Sequence, residues 1–282
     1  RKILDKDKLI HLTYKEYSGK NVQNVDRATI FLTGWSMKGN SRSLRHIGRE
    51  LQKSAPDEKI FTIACRSLRT NERIRYEAHA VKDFVKNQGI KELTLIGYSE
   101  GATKAISTSA LIEEDKDLRL RGLILSSPLG LSWTPNIVIR LINAMAFAIP
   151  INTLSQIRKN PKEWRAFFYA YSAGMAVFRG ILGEVLKQGI HYLPNLKNDV
   201  DEISEKNKDI YKITSPVLII AGAKDSVVKK REIIGDINLD AKMGIPIKVL
   251  GAEKFSSHGL PFLRPRTFIR ASLGELERIR QA

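Results

Sequence analysis

The 282-residue sequence has a single cysteine, Cys65, so no intrachain disulfide can brace the fold and packing alone must hold it. That usage suits a reducing compartment, and a cytoplasmic location is the expectation; the chain begins at Arg1, which leaves an upstream signal or anchor open. An uninterrupted apolar run of the length a bilayer requires is also missing, and with it a membrane-spanning helix. Internal repeats and low-complexity segments are absent, and with 43% hydrophobic residues no stretch is polar enough to read as disorder. Carboxylates are scarce: 30 Asp and Glu stand against 47 Lys and Arg, a formal net charge of +17. Such a surface attracts nucleic acid or anionic lipid. The cations are scattered, however, without a nucleic-acid-binding signature, and runs such as Lys229-Lys230-Arg231 read as solvated helix faces. Nucleic acid is therefore not an expected partner, whereas peripheral contact with an anionic membrane, through the basic surface together with the apolar cap run Ile137 to Ile151, is left open.

What the sequence does contain is an alternation of short apolar runs with amphipathic helical stretches. Leu9 to Tyr17 alternates like a half-exposed edge strand, and Ala28 to Thr33 is a buried-type strand ending at Gly34. A helix around Ser43 to Lys53 precedes a strand at Lys59 to Ala64. A second helix, capped by Thr70 or Asn71, runs to about Gln88 with Ile74, Ala78, Val81 and Val85 on one face and Gly89 as its stop. Further strands fall at Leu93 to Ile96, Gly122 to Ser126, Val217 to Ala221 and Ile247 to Leu250, with a final helix near Pro265 to Arg280. Parallel neighbours need crossovers of a dozen or more residues, usually helical, so this order predicts an α/β fold, a mostly parallel central sheet flanked by helices.

Between Leu129 and Ser215 the strand rhythm stops and several helices follow, including about Pro135 to Ala148 and about Lys162 to Lys187. The expected organisation is a core made of residues 1–130 and 215–282 with a helical cap, residues 131–214, inserted between two strands. Ile137, Leu141 and Met145 in the first cap helix, and Trp164, Phe167, Phe168 and Tyr171 in the second, recur at helical spacing. Most of these pack on their neighbours, yet a roof of this kind also favours an apolar ligand.

Gly97-Tyr98-Ser99-Glu100-Gly101 has the form G-x-S-x-G and lies directly after an apolar strand and before a helix. A turn this tight needs small residues beside the serine, and it sets the hydroxyl at a helix N-terminus that favours developing negative charge. A serine needs a base, and the base a carboxylate to hold its tautomer. Asp225 follows the strand ending at Ala221, and His258 follows the strand ending at Leu250, in the chain order Ser, Asp, His. His46, His79 and His191 fall in or beside helices and His11 in an early strand, so His258 is the candidate base. The oxyanion donors would be the backbone N–H groups of Glu100 and of Trp35, which follows the turn glycine Gly34. Glu100 brings a carboxylate close to that hole, and its side chain is expected to point along its helix.

With FLTGWS, GYSEG, VLIIAGAKDSVV and SSHGLPFLRP in these positions, the sequence resembles the α/β-hydrolase superfamily across nearly its full length. The resemblance implies an eight-stranded sheet, a Ser99-Asp225-His258 triad and a helical cap over the pocket. Many members have His-Gly where this chain has Thr33-Gly34, a change that leaves the backbone donor in place. The implied activity is carboxylesterase- or lipase-like hydrolysis of a hydrophobic small-molecule or lipid-like ester, with no metal or organic cofactor. Related members act on amides, thioesters or carbon–carbon bonds, and a receptor-like binder on the same fold is the other alternative. Oligomeric state is not legible.

Overall fold

The computed structural model describes residues 2–5, 10–19, 22–34, 42–67, 72–128, 192–222, 247–252, 260–263 and 265–281. Within them one sheet holds eight strands: β1 (Lys2–Asp5), β2 (Ile10–Glu16), β3 (Asn24–Leu32), β4 (Glu58–Ser67), β5 (Glu92–Tyr98), β6 (Arg119–Ser126), β7 (Val217–Gly222) and β8 (Ile247–Ala252). Their spatial order is β1-β2-β4-β3-β5-β6-β7-β8. The pairs β1–β2 and β2–β4 are antiparallel, and every pairing from β4 to β8 is parallel. The helices are α1 (Arg42–Ser54), α2 (Arg73–Asn87), α3 (Glu100–Glu113), α4 (Tyr192–Asn207), the short α5 (Leu260–Leu263) and α6 (Pro265–Gln281), with a 3-10 turn at Lys208–Lys212.

The parallel strands are apolar on both sides because helices cover both faces. Ile30 and Leu32 of β3, Leu93 and Leu95 of β5 and Leu123 and Leu125 of β6 join one buried cluster with α2, α3 and Ile203 of α4. The alternate residues Phe31, Ile96 and Ile124 join a second cluster with Leu44, Ile47 and Leu51 of α1 and Phe268, Ile269 and Leu276 of α6. The period-two alternation thus divides one sheet between two helical layers.

Two local expectations are corrected. The strand expected at an edge, Leu9 to Tyr17, is the interior strand β2, because β1 pairs along its outer side from Lys2↔Thr13 to Asp5↔Ile10. The N-cap position of α2 is Glu72 rather than Thr70 or Asn71, which lie outside the described residues; Glu72 makes no side-chain capping hydrogen bond, and the Ile74 N–H donates to Glu202 Oε1 of α4 at 2.7 Å. Gly89 ends the helix as expected, with φ +66°.

Helix α4 and the 3-10 turn come from the end of the segment 131–214. They pack on the core layer: Ile203, Ile210 and Ile213 share the cluster of α2 and α3, and Ser107 Oγ of α3 lies 3.2 Å from Asp209 Oδ2. The cap helices expected near Pro135 to Ala148 and Lys162 to Lys187 lie outside the described residues.

Candidate active site

The backbone makes the elbow. Ser99 sits between β5 and α3 with φ 56° and ψ −124°, a conformation that costs a non-glycine residue about 1–3 kcal/mol and persists only where its surroundings impose it. They do so by hydrogen bonds on both sides: the Ser99 N–H donates to Ser126 O of β6 at 3.0 Å, and the Ala102 N–H donates to Ser99 O at 3.0 Å.

Close packing explains the glycines. A Cβ on Gly101 would lie 2.5 Å from Leu32 O and 2.6 Å from Thr33 O, both backbone atoms that cannot swing away. One on Gly97 would lie 2.5 Å from Ala102 Cα and 2.6 Å from Gly101 O. At Gly34 a Cβ would stand 3.1 Å from Ser99 Cβ and 3.2 Å from Tyr98 O. The turn after β3 is therefore pressed against the elbow, as an oxyanion turn would have to be. Three buried hydroxyls at this edge, Thr33 Oγ1, Ser126 Oγ and Ser127 Oγ, have no hydrogen-bond partner among the described residues. Among the described residues Ser127 is the other non-glycine residue with positive φ, at 47°.

Glu100, expected to lie along its helix, is fully buried and tied to two helices. It pairs with Arg73 of α2 and with Lys104 one turn along α3, at 3.5 Å. Lys104 Nζ reaches Glu77 Oε2 of α2 at 2.7 Å and donates to Cys65 O of β4 at 3.3 Å, while Arg73 and Glu77 lie 3.8 Å apart. Two cations and two carboxylates, none more than 9% exposed, thus form one neutral cluster directly behind the Ser99 turn. Burial alone would push the Glu100 carboxyl up, but Arg73 and Lys104 outweigh it and hold it below the usual carboxylate range. Burial likewise opposes charge on Lys104, and Glu100 and Glu77 overcome it, so the ammonium titrates above its ordinary value. Burial, with Glu77 nearby, pushes the Cys65 thiol far up and so disfavours its thiolate form. Both carboxylate groups are spent on neighbouring cations, which leaves the Glu100 N–H at the helix start free of a competing local negative charge.

Sequence reading missed Arg73, Glu77 and Lys104. Their signal was present as two pairs at i,i+4 spacing, Arg73 with Glu77 and Glu100 with Lys104, each beside an apolar helix stripe. The structure places Ser99, Glu100, Gly34, Gly97 and Gly101 together at the carboxyl edge of the sheet. Trp35, Asp225 and His258 lie outside the described residues. Chain near Asp225 and His258 is described: β7 ends at Gly222 beside β6, and Phe262 of α5 packs edge-on against Tyr98, the residue before Ser99, with ring centroids 5.0 Å apart.

Among the described residues no His, Cys, Asp and Glu cluster could hold a metal ion, and no helix is long and apolar enough to cross a membrane.

The arrangement, a mostly parallel sheet covered on both faces with a strained serine between a strand and a helix, is that of the α/β hydrolases. Comparison with solved structures agrees. A carboxylesterase of the thaumarchaeon Nitrososphaera gargenis is 10% identical with a TM-score of 0.60, covering 100% of this chain and 99% of its own. A bromoperoxidase from Bacillus anthracis is 16% identical with a TM-score of 0.58, covering 95% and 96%. An α/β-hydrolase enzyme from a Medee basin deep-sea metagenome is 14% identical with a TM-score of 0.55, covering 94% of each chain. No protein-family model and no curated protein matches the sequence. The chain has the fold of the α/β-hydrolase superfamily.

Proposed function

We propose that the protein is a serine hydrolase that cleaves a carboxylic ester of a hydrophobic small-molecule or lipid-like substrate, with Ser99 as nucleophile. The observation that carries this reading is the backbone of Ser99, φ 56° and ψ −124°, held at the carboxyl edge of a parallel sheet where such folds bind ligands. A serine with no special task would relax to an ordinary turn.

In this reading Ser99 Oγ attacks the ester carbonyl while His258 takes its proton, and the carbonyl oxygen becomes an oxyanion held by the Trp35 and Glu100 N–H groups. The intermediate collapses to an acyl-enzyme as His258 returns the proton to the leaving alcohol, and water then releases the acid by the reverse roles. Asp225 orients the imidazole. Tether lengths favour the assignment: Asp225 is three residues beyond Gly222, a span of at most about 10 Å, and His258 is two residues before Leu260, at most about 7 Å. Gly34 lies so near the elbow that a Cβ on it would stand 3.1 Å from Ser99 Cβ, which supports the next residue in the chain, Trp35, as the second oxyanion donor. The esterase among the similarly folded chains supports ester chemistry in general, and the apolar composition of residues 131–191 supports a hydrophobic acyl or alcohol group.

A panel of p-nitrophenyl esters of increasing acyl length tests the reading. The wild-type protein should turn over one or more of them, and Ser99→Ala should lose about three orders of magnitude or more in kcat. Full activity in Ser99→Ala, or no turnover at any chain length, would overturn it.

A further inference from the structure

The two helical layers differ sharply in charge. Helices α1 and α6, on one face of the sheet, carry eight Lys and Arg against three Glu. On the opposite face α2, α3, α4 and the 3-10 turn carry nine cations against nine carboxylates, an even balance. The excess positive charge of this part of the chain is thus gathered on one side, although along the sequence it looks scattered.

The excess is also exposed, and the carboxylates described on this layer do not neutralise it. Glu50 pairs with Lys53, Glu275 with Lys248 and Arg278, and Glu277 with Arg280, so each carboxylate of this layer is spent locally. Arg45 and Arg49 on α1 and Arg266 and Arg270 on α6 are exposed and have no carboxylate partner among the described residues. In each helix the two arginines stand four residues apart and project on the side away from the apolar contacts that join α1 to α6. The result is a two-helix platform with four exposed guanidinium groups and, among its described residues, no exposed aromatic side chain.

We propose that this α1–α6 face docks the protein on an anionic phospholipid surface. Guanidinium groups form forked hydrogen bonds to phosphate, and a basic face gains about a factor of five in membrane affinity for each cation brought near a negatively charged leaflet. Nucleic acid fits the face less well. It offers no aromatic platform on which bases stack, and both helices lie flat on the sheet rather than presenting an end to a groove. Docking is independent of the chemistry at Ser99 and is measured without any substrate.

The test is co-flotation of the full chain with vesicles of phosphatidylcholine alone or with about 30% phosphatidylserine, at low and high salt. Binding should require phosphatidylserine and disappear toward 1 M salt, where the screening length falls to about 3 Å. The quadruple variant Arg45→Gln, Arg49→Gln, Arg266→Gln, Arg270→Gln should lose about a hundredfold or more in affinity. A control that removes four exposed cations from the other layer, Arg75→Gln, Lys86→Gln, Lys208→Gln, Lys212→Gln, should bind like the wild type; circular dichroism and melting confirm that both variants fold. Equal loss in both variants would reduce the effect to net charge and overturn the proposal. So would absence of wild-type binding, or arginine-dependent binding to oligonucleotides with none to vesicles.

Discussion

Replacing Glu100 by Gln keeps the side chain's shape and the backbone N–H while removing one negative charge from the buried cluster. Arg73 and Lys104 then share Glu77 alone, leaving a buried cation uncompensated. Breaking a buried pair in this way costs about 3–5 kcal/mol, and because the amide oxygen can still accept one hydrogen bond the lower end applies. Against a typical domain stability of about 5–15 kcal/mol that is a large loss, equivalent to a fall in melting temperature on the order of 10 °C. Urea unfolding across a pH series is the assay. Glu100 titrates below its ordinary value of 4.5 in the folded chain, so its contribution is fully present above that value and fades as pH falls through the folded-state value. Lys104 titrates above its ordinary 10.5, so its share persists until the solution becomes more alkaline than that. The gap between wild type and Glu100→Gln should be flat through neutrality and narrow below about pH 4.5. Combining it with Arg73→Met should cost less than the sum of the single changes, since the second removes a charge the first left unpaired. A loss under about 1 kcal/mol at pH 7, or a gap that does not change on acidification, would refute the reasoning.

Other substitutions test other joints of the fold. Gly101→Ala forces a Cβ into Leu32 and Thr33 carbonyls and should cost about 3 kcal/mol or more, read by urea unfolding, because backbone rather than side chain must move. Gly34→Ala meets Ser99 Cβ at the looser distance of 3.1 Å, so kcat on p-nitrophenyl esters should fall by more than stability does. Glu202→Gln weakens the acceptor for the Ile74 N–H and should lower stability by about 1 kcal/mol without changing the spectrum of the folded state. Gly89→Ala, with open space around the site but φ +66°, should cost about 1 kcal/mol for backbone reasons alone.

The fold was legible because its strands are short, apolar and separated by helices with clear stripes, and the elbow because it joins a motif to a strand and a helix. What escaped sequence reading required knowledge of which elements touch. β1 is only four residues long, too short to show alternation, so the better-patterned β2 looked like the edge. The amphipathic character of α4 is the same whether it roofs a cap or packs on the core, and it is the bond of Glu202 to the Ile74 N–H and the burial of Ile203 in the α2–α3 cluster that show it against the core layer. Arg73 and Glu100 are 27 residues apart on different helices, so Glu100 read as a charge near the oxyanion turn when it is one corner of a closed ionic cluster. The basic face is illegible for the same reason, since α1 and α6 meet only in space.

The central claim is that Ser99 is an activated nucleophile, and covalent labelling tests it without knowledge of the substrate. A fluorophosphonate should add once per chain, with peptide mass analysis placing the adduct on Ser99, and His258→Ala or Asp225→Asn should slow that labelling by orders of magnitude while leaving the protein folded. Labelling on another residue, or a Ser99 as inert as a surface serine in the folded wild-type chain, would contradict the account.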